Sequence, residues 1–345
     1  MKFDIITIGS ATRDVFLPSS AFKIVNDPKR LKKLGFITGK AQCLPLGGKV
    51  QIEEPVFATG GGATNAAVTF SRQGFKTASL FKIGSDISAE EVVKEMKKEK
   101  ISLFLVRDKK LKTDYSAIFL SQNGERTILN YRGASANLKA EEIPFKSLDA
   151  SWAYISPGKI SFSVMGKIFS FLAQKNISIA FNPSKHYLEM GIKKLEPFLN
   201  KTKVVLLNRE EASYLTNINY NREKEIFKRL DEVVLGIAVM TEGPKGLIVS
   251  DGKTLYHCGT FRNGKVVDRT GAGDAFGSGF VAGLIEKSNL QSKNFSEKEI
   301  AYAIRLGLAN ATSVIEHIGG KEGIITKSEF KKPRWKDIKI KTVNL

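Results

Sequence analysis

A glycine-rich turn followed by a carboxylate lies at the predicted start of a long helix near the carboxyl end. Gly271, Ala272 and Gly273 leave the backbone almost without side chains immediately before Asp274. Unpaired N–H groups and the helix dipole at such a start attract anions. Asp274 could stabilise the helix start, or it could accept a proton from a hydroxyl that attacks a phosphorus atom held there. The arrangement therefore suits phosphoryl transfer.

The predicted helix after this turn has an unusually small surface. Small side chains let either a ligand or a neighbouring element of the fold approach closely, and the two explanations are compatible. The small residues are Ala275, Gly277, Ser278, Gly279, Ala282 and Gly283.

A second glycine run, Gly60 to Gly62, precedes another predicted helix start. Three glycines suit a polar ligand that presses against the backbone, but a glycine run alone is a weak signal and could be a turn. It lacks the G-x-G-x-x-G spacing of dinucleotide sites. Asn65 follows, and its amide offers the donors and acceptors that a sugar hydroxyl needs.

The elements that must position these residues alternate between strand and helix. This rhythm predicts a mostly parallel sheet covered by helices on both faces. The predicted strands are 3–8, 77–83, 113–121, 126–131, 152–156, 178–181, 204–207, 237–241, 247–250 and 254–257. The predicted helices are one from Ser88, capped by that serine, then 164–175, 188–198, 209–215, 223–230, 273–287 and 297–315.

Two segments interrupt the alternation, residues 15–57 and the hairpin near 113–131, whose Asn123-Gly124 pair is a strong turn signal. They predict a small β lid, formed by about 15–57 and 101–133, on a single domain that spans residues 1–345. We expect this lid to close over the site and exclude water. Its edge strands also invite pairing with a second copy, so we expect either a homodimer swapped or clasped through the lid or a monomer whose lid is mobile when empty.

The composition is that of an ordinary globular protein of 345 residues, with 26% charged and 42% hydrophobic residues. The net charge of +19 is dispersed and not interleaved with aromatic residues, so no nucleic-acid partner is expected. The two cysteines and three histidines form neither a disulfide framework nor a metal motif. Without a targeting segment or a long apolar run, a cytoplasmic enzyme that does not enter the membrane is expected.

The order of these motifs resembles that of the ribokinase-like (PfkB) carbohydrate kinases, over nearly the whole chain. The two signatures are Gly61 to Asn65 and Asp268 to Asp274, of which the second is highly specific. Three further segments match in order: Gly9 to Asp14, Asn208 to Glu211, and Thr241 to Gly246. The resemblance implies the ribokinase-like three-layer α/β sandwich, with a mostly parallel central sheet and a β lid.

The resemblance also implies site roles and cofactors. Asp274 matches the catalytic base, and Gly271, Ala272 and Gly273 match the anion hole for the transferred phosphate. The implied substrate contacts are Asp14, Gly61, Gly62 and Asn65. The implied contacts to ATP and Mg²⁺ are Asn208, Glu211, Thr241, Gly243 and Gly246. Asp268 and Thr270 match residues near a monovalent-cation site, for which K⁺ is the candidate ion.

The sequence departs from the family pattern in two places. Arg269 replaces a small residue that usually precedes the anion hole, and the insertion from Val15 to Phe57 is longer than in compact members, which suggests a larger lid. Gly259 to Lys265 imitates a P-loop, but Val266 replaces its Ser or Thr, so this segment is interpreted as a turn.

The sequence therefore predicts an ATP-dependent kinase that phosphorylates a hydroxyl of a sugar. A nucleoside is the alternative substrate, and a sugar acid or sugar phosphate is a further one, since Arg13 and Arg132 flank predicted substrate-facing segments. Surface salt bridging explains these arginines at least as well. Two non-kinase readings are weaker: an oxidoreductase lacks its dinucleotide fingerprint, and a binding module without catalysis would have lost the base or the anion hole.

Overall fold

The structure is a computed structural model that describes residues 2–36, 38–121, 125–234, 236–261, 264–288, 290 and 294–345. The strands are β1 (Phe3–Gly9), β2 (Thr12–Pro18), β3 (Lys23–Asn26), β4 (Lys40–Cys43), β5 (Val56–Gly60), β6 (Thr77–Ile83), β7 (Ser102–Arg107), β8 (Asp114–Leu120), β9 (Arg126–Tyr131), β10 (Ala150–Ser156), β11 (Ser178–Phe181), β12 (Val204–Asn208), β13 (Ile237–Thr241), β14 (Leu247–Ser250), β15 (Thr254–Cys258) and β16 (Ile340–Asn344). The helices are α1 (Pro28–Lys33), α2 (Gly62–Arg72), α3 (Ile87–Lys98), α4 (Phe162–Gln174), α5 (Lys185–Leu188), α6 (Ile192–Leu199), α7 (Arg209–Thr216), α8 (Glu223–Asp231), α9 (Ala272–Lys287) and α10 (Glu297–Val314).

The described residues form a ten-stranded sheet in the order β16-β15-β14-β13-β12-β11-β10-β1-β6-β7. Neighbours from β13 through β7 are parallel, and those from β13 to β16 are antiparallel. Parallel strands are buried on both faces and therefore carry near-continuous apolar runs, as Ile5, Ile6 and Ile8 do in β1. The predicted α/β class with a mostly parallel sheet is confirmed.

Helices cover both faces of this sheet. One face packs against α2, α9 and α10 around Tyr154 and Phe280, and the other packs against α4 to α8 around Phe169 and Phe181. The small residues of α9 serve this packing, because a Cβ added at Gly283 would lie 2.7 Å from the Cα of Ala303 in α10. None of the described helices is long and apolar enough to cross a bilayer.

A second sheet of four strands, in the order β5-β2-β8-β9, forms the lid. The β5–β2 and β8–β9 pairs are antiparallel, and β2 and β8 are parallel. The lid begins at Thr12, and residues between β2 and β5 form a separate β3–β4 hairpin with α1. The hairpin tip Asn123-Gly124 lies outside the described residues, as does part of the P-loop-like segment.

The structure corrects several boundaries predicted from the sequence. The lid range 101–133 wrongly included β7, which pairs with β6 in the large sheet and packs Leu103 and Leu105 against its core. The cap of α3 is Asp86 instead of Ser88, since one Asp86 carboxylate oxygen accepts from Ala89 N at 2.9 Å. The single helix predicted over 188–198 is two helices, α5 and α6. The strand β16 was not predicted.

Candidate active site

The predicted catalytic residue and the glycine-rich substrate loop meet near the carboxyl ends of β1 and β10. From β1 the chain continues to β6 on one side and later returns to β10 on the other, so the direction of strand addition switches between β1 and β10. Gly9 and Ser156, the last residues of these strands, are register partners. Open α/β sheets bind ligands at such switch points. The fold therefore provides a crevice where both glycine-rich segments end.

The start of α2 is fixed in this crevice by close backbone packing. Gly61, its N-cap, has a φ of +99°, which a residue with a side chain rarely adopts. A Cβ added at Gly62 would lie 2.6 Å from Ser156 Cβ and closer still to Ser156 Oγ. Ala63 N donates to Ser10 O at 3.2 Å. The glycine run is thus required by the contact of α2 with the ends of β1 and β10.

The two signature segments meet through one hydrogen bond. Asn65 Nδ2 donates to Asp274 Oδ2 at 2.8 Å, although the residues are 209 positions apart. Asn65 is buried, and its Oδ1 has no hydrogen-bond partner among the described residues. Burial raises the pKa of Asp274, opposed by the Asn65 hydrogen bond and the charge of Lys321. Asp274 thus has the basicity, and Asn65 the open acceptor, that a substrate hydroxyl could use.

The start of α9 has the geometry expected of an anion site. Gly271 is its N-cap, in a left-handed conformation with a φ of +76°, and a Cβ there would lie 2.5 Å from Gly320 Cα. Among the described side chains none caps this helix start. The first-turn N–H groups therefore lack a side-chain acceptor, beside Asp274 in the same turn.

Asp14 lies on the lid strand β2 and is 7% exposed. Thr12 Oγ1 donates to Asp14 Oδ1 at 2.9 Å. In the lid register Asp14 is opposite Ser116, and Ser116 is opposite Asn130, so the three form a polar row. Burial raises the pKa of Asp14, and the hydrogen bonds from Thr12 and Ser116 oppose this shift. This row could bind several hydroxyl groups.

An apolar row follows the polar row on the same lid face. It consists of the register partners Phe16, Ile118 and Ile128, each of which lies two residues away from a member of the polar row on the same strand. Phe16 and Ile118 are buried, whereas Ile128 is 38% exposed. The lid face thus carries polar groups that could bind hydroxyls and, beyond them, an apolar row of which Ile128 alone is exposed.

The arginines predicted near the substrate have protein partners. Arg13 Nη1 donates to Ala58 O at 3.3 Å and stacks on Phe57, on the opposite lid face from Asp14. Arg132 lies 4.0 Å from Asp114 Oδ2. Arg13 thus stacks on an aromatic ring and Arg132 pairs with a buried carboxylate, so neither position requires an anionic substrate to explain it.

The lid contacts the loop before the anion site. Arg269 Nη1 lies 3.4 Å from Glu125 Oε1, just after the β8–β9 tip. A cavity of about 120 Å³ is lined there by Leu120 and Val267, among others. The bulky residue that departs from the family pattern thus forms a surface contact with the lid.

Asn208 and Glu211 form a reciprocal capping box at the start of α7. Asn208 Oδ1 accepts from Glu211 N at 2.8 Å, and Glu211 Oε2 accepts from Asn208 N at 2.8 Å. The ordinary N-cap considered for this pair is therefore present. Burial raises the pKa of Glu211, opposed by the hydrogen bond from Asn208 N.

Thr241 is the register partner of Asn208, so the two lie side by side at the ends of β12 and β13. The turn that follows needs glycine at Gly243 and Gly246, whose φ values are +53° and +103°. A Cβ at Gly246 would also lie 2.7 Å from Gly259 Cα. The predicted nucleotide residues are thus adjacent in the fold.

Sequence reasoning missed the carboxylate that fixes this turn, Glu242. It accepts from Arg209 Nη1 and Lys245 Nζ at 2.6 Å each and from Tyr220 Oη at 2.9 Å. These hydrogen bonds lower the pKa of Glu242 to about 2, although burial of the carboxylate acts in the opposite direction. An acidic residue between Thr241 and Gly243 gave no signal of this role.

Asp268 is fully buried and joins two loops. Its Oδ1 accepts from Thr270 N at 2.9 Å and Thr270 Oγ1 at 2.7 Å, and its Oδ2 accepts from Gly319 N at 3.1 Å. Among the described residues there is no group of three or more His, Cys, Asp or Glu side chains that could hold a metal ion. The monovalent-cation site stays a prediction.

Two further residues of the crevice, Ser156 and Lys321, were also missed. Ser156 fills the space beside Gly62, and Lys321 is 2% exposed behind the site. A single serine and one of many lysines carry no pattern that a sequence reading could use.

This combination of switch-point crevice, helix start and lid is typical of an α/β enzyme that transfers a phosphoryl group to a small molecule. The model of the pfkB family of carbohydrate kinases matches residues 36–327. A protein of Archaeoglobus fulgidus named as an uncharacterized sugar kinase is 30% identical over 262 residues, which cover 74% of this chain and 97% of the relative. The chain therefore belongs to the pfkB family of carbohydrate kinases.

Other relatives differ in the substrate that their names give. The cytidine kinase of Thermococcus kodakarensis is 27% identical over 264 residues, 75% of this chain and 88% of that protein. The structure of ribokinase from Giardia lamblia superposes with a TM-score of 0.77 over 94% of this chain and 97% of that one, at 19% identity. The ribokinase-like fold with its lid sheet is thus confirmed, and the protein is a kinase.

Proposed function

We propose that this kinase transfers the γ-phosphoryl group of ATP to a hydroxyl of a sugar, with Asp274 as the general base. The observation that carries the proposal is the 2.8 Å hydrogen bond between Asn65 and Asp274, which unites the substrate loop with the predicted anion site. A hydroxyl that donates to Asp274 would lie at the start of α9, where a transferred phosphate would also bind. In-line transfer needs this proximity.

Each group then has a separate task in the reaction. Asn65 Oδ1 accepts a second substrate hydroxyl, and Asp14 with Ser116 binds hydroxyls from the lid side. Asp274 accepts the proton of the attacking hydroxyl, helped by burial, which raises its pKa. The N–H groups that follow Gly271 stabilise the negative charge of the transferred group.

The nucleotide is proposed to bind along the ends of β12 and β13, against Asn208, Thr241, Gly243 and Gly246. The oxygen donors there suit Mg²⁺, a hard cation, and Glu211 would hold it, in part through water, since its Oε2 already accepts from Asn208 N. When bound, Mg²⁺ neutralises phosphate charge. The reciprocal capping box keeps both side chains in place for this task.

A nucleoside is the second candidate substrate. Ile128, the exposed end of the apolar row, favours it, because a base would cover this side chain while the ribose bound the polar row. The name of the Thermococcus kodakarensis relative agrees with this alternative. A sugar acid or sugar phosphate has less support, since Arg13 faces away from Asp14.

An acceptor panel tests the proposal. ATP consumption is measured with pentoses, hexoses, nucleosides, sugar acids and sugar phosphates, each with wild type and with Asp274→Asn as the matched control. We expect turnover above the ATPase background with a neutral sugar, and its loss in the variant. Turnover with nucleosides alone would replace the sugar by the second candidate. ATP consumption that no acceptor raises, or that survives in Asp274→Asn, would contradict the proposal.

A further inference from the structure

Lys321 is a buried cation with no role in the mechanism above. It lies in the loop after α10, and its side chain is 2% exposed. Burial of an ammonium group is costly unless it is paired and hydrogen-bonded. Burial lowers the pKa of Lys321, and the charges of Glu95 and Asp14, with those of Glu322 and Glu99, oppose this shift.

The hydrogen bond and the ion pair of Lys321 offset only part of the cost of burying its ammonium group. Its Nζ donates to Thr59 Oγ1 and lies 3.8 Å from Glu95 Oε1. Thr59 Oγ1 in turn donates to Glu95 Oε2. The Glu95 side chain is 25% exposed, so it remains in contact with solvent while the ammonium does not. The positive charge is therefore the more deeply buried member of the pair.

Lys321 is connected to both acidic groups of the site through one intermediate residue on each side. On one side, a Cβ added at the preceding Gly320 would lie 3.0 Å from Asn65 Nδ2, the atom that donates to Asp274. On the other side, its partner Thr59 precedes Gly60, where an added Cβ would lie 3.0 Å from Asp14 Cγ. Lys321 thus adjoins the segments that hold both carboxylates.

We propose that Lys321 is a positioning residue whose ammonium keeps Asp14 and Asp274 ionised and, through Thr59, holds the glycine-rich substrate loop in place. The catalytic part of this proposal rests on the proposed function. An uncharged side chain would leave the buried Asp14 and the half-buried Asp274 with a greater tendency to be protonated, and a protonated Asp274 cannot accept the hydroxyl proton.

The other charged and polar groups around the two carboxylates do not replace Lys321. Around Asp274 they are Asn65, which donates a neutral hydrogen bond, and the buried Tyr154. Around Asp14 they are Thr12, Ser116 and the partly exposed Arg132. Lys321 is the one cation whose charge acts on both carboxyls among the groups described, and it lowers the pKa of each.

The test replaces the ammonium by a group of similar shape, in Lys321→Met. Carboxyl titrations are followed by NMR of the ligand-free protein with ¹³C-labelled aspartate, and Asp14→Asn and Asp274→Asn assign the two signals. The matched control is Lys94→Met, which removes an exposed lysine from α3 next to Glu95. We expect both carboxyl pKa values to rise in Lys321→Met, because an opposite charge nearby favours the ionised form. They should be unchanged in the control.

The kinase assay then gives a readout that a purely structural role would not change. For the acceptor found in the panel, kcat/KM of Lys321→Met should fall more at the acidic end of the pH profile than at the alkaline end, because a base with a raised pKa is protonated over a wider acidic range. A uniform loss at all pH values, or unshifted carboxyl titrations in the folded variant, would overturn the proposal. Shifted titrations without turnover on any acceptor would instead contradict the proposed function.

A second pair of variants covers the case in which Lys321→Met does not fold. The double variant Lys321→Met with Glu95→Gln removes the ion pair as a unit, so no unpaired partner remains. Its reference is Glu95→Gln alone, and the difference between the two isolates the ammonium. Higher carboxyl pKa values in the double variant support the proposal, and equal values overturn it.

Discussion

Gly62→Ala is the substitution for which the structure gives the clearest expectation. The added Cβ would lie 2.6 Å from Ser156 Cβ and closer still to Ser156 Oγ, whereas ordinary contacts between carbon atoms are about 3.5–4 Å. The start of α2 or the end of β10 must therefore move by about 1 Å to restore an ordinary contact. The same Cβ would lie 3.6 Å from Asp274 Oδ1, an acceptable contact, so Ser156 causes the whole effect.

The displaced start of α2 carries Asn65, and Asn65 holds Asp274. A misplacement of about 1 Å in reacting groups can cost roughly 10²-fold in rate, so we expect kcat/KM to fall by about that factor in Gly62→Ala. Ser156→Gly in the same chain removes both atoms that the new Cβ meets, and most of the activity should return. Stability is measured in parallel by thermal unfolding, because a fold-wide effect would lower it strongly.

The controls separate this local clash from a general effect of alanine. Gly166→Ala lies within α4, where an added Cβ would meet no described atom within 4 Å, and it should leave activity unchanged and raise helix stability. Ser156→Gly alone provides the baseline for the double variant. Wild-type kinetics in Gly62→Ala, or additive losses in the double variant, would refute the reasoning.

Four further predictions follow from the described contacts. Asp274→Asn should reduce kcat by about 10²–10⁴-fold while calorimetry shows unchanged ATP binding; retained turnover would rule out its role as base. Asp14→Ala should weaken sugar binding roughly 10–100-fold and ATP binding little, as separate titrations with each ligand would show, and equal losses would count against it. Burial raises the pKa of Asp231 to about 6, so the ionised form destabilises the fold above pH 6, and this cost vanishes as the pH falls toward 4. Asp231→Asn should therefore raise the free energy of unfolding by about 1 kcal/mol at pH 8, a value discounted for the partial exposure of the side chain, and should leave it unchanged at pH 4. Chemical denaturation at both pH values measures this difference. Hydrogen exchange in the lid strands β2, β5, β8 and β9 should slow when sugar binds, and unchanged protection would contradict lid closure, while a monomer at high protein concentration would contradict a lid-clasped dimer.

The parts of the fold that the sequence predicted correctly depend on local signals. The strands near 77–83 and 237–241 are apolar runs whose burial pattern is independent of their neighbours, and their bounds agree with the structure. The helix α9 follows from Gly271 at its N-cap. By contrast, the lid range 101–133 included β7, and only the pairing of β7 with β6 identifies its sheet.

In the candidate site, too, local motifs were predictable from the sequence, whereas contacts between distant segments were not. Asn65 and Asp274 were identified within separate motifs, but the hydrogen bond between them depends on the packing of α2 against α9. Glu242 and Lys321 gave no local signal, because their role depends on partners that the fold brings from distant positions. Asp86 was missed as a cap for a related reason, since Thr113, from another part of the chain, donates to its second oxygen at 2.8 Å.

One loop, Gly319 to Lys321, contacts both signature segments of the candidate site. Gly319 N donates to Asp268 in the segment before the anion site. The Cα of Gly320 packs closely against Gly271 at the start of α9, and Gly320 also contacts Asn65. Lys321 holds Thr59 at the start of the substrate loop. Because these contacts share three consecutive residues, a shift of this loop would move the anion site and the substrate loop together. The alignment of acceptor hydroxyl and phosphate therefore depends on a segment outside both signature motifs, although neither motif predicts it.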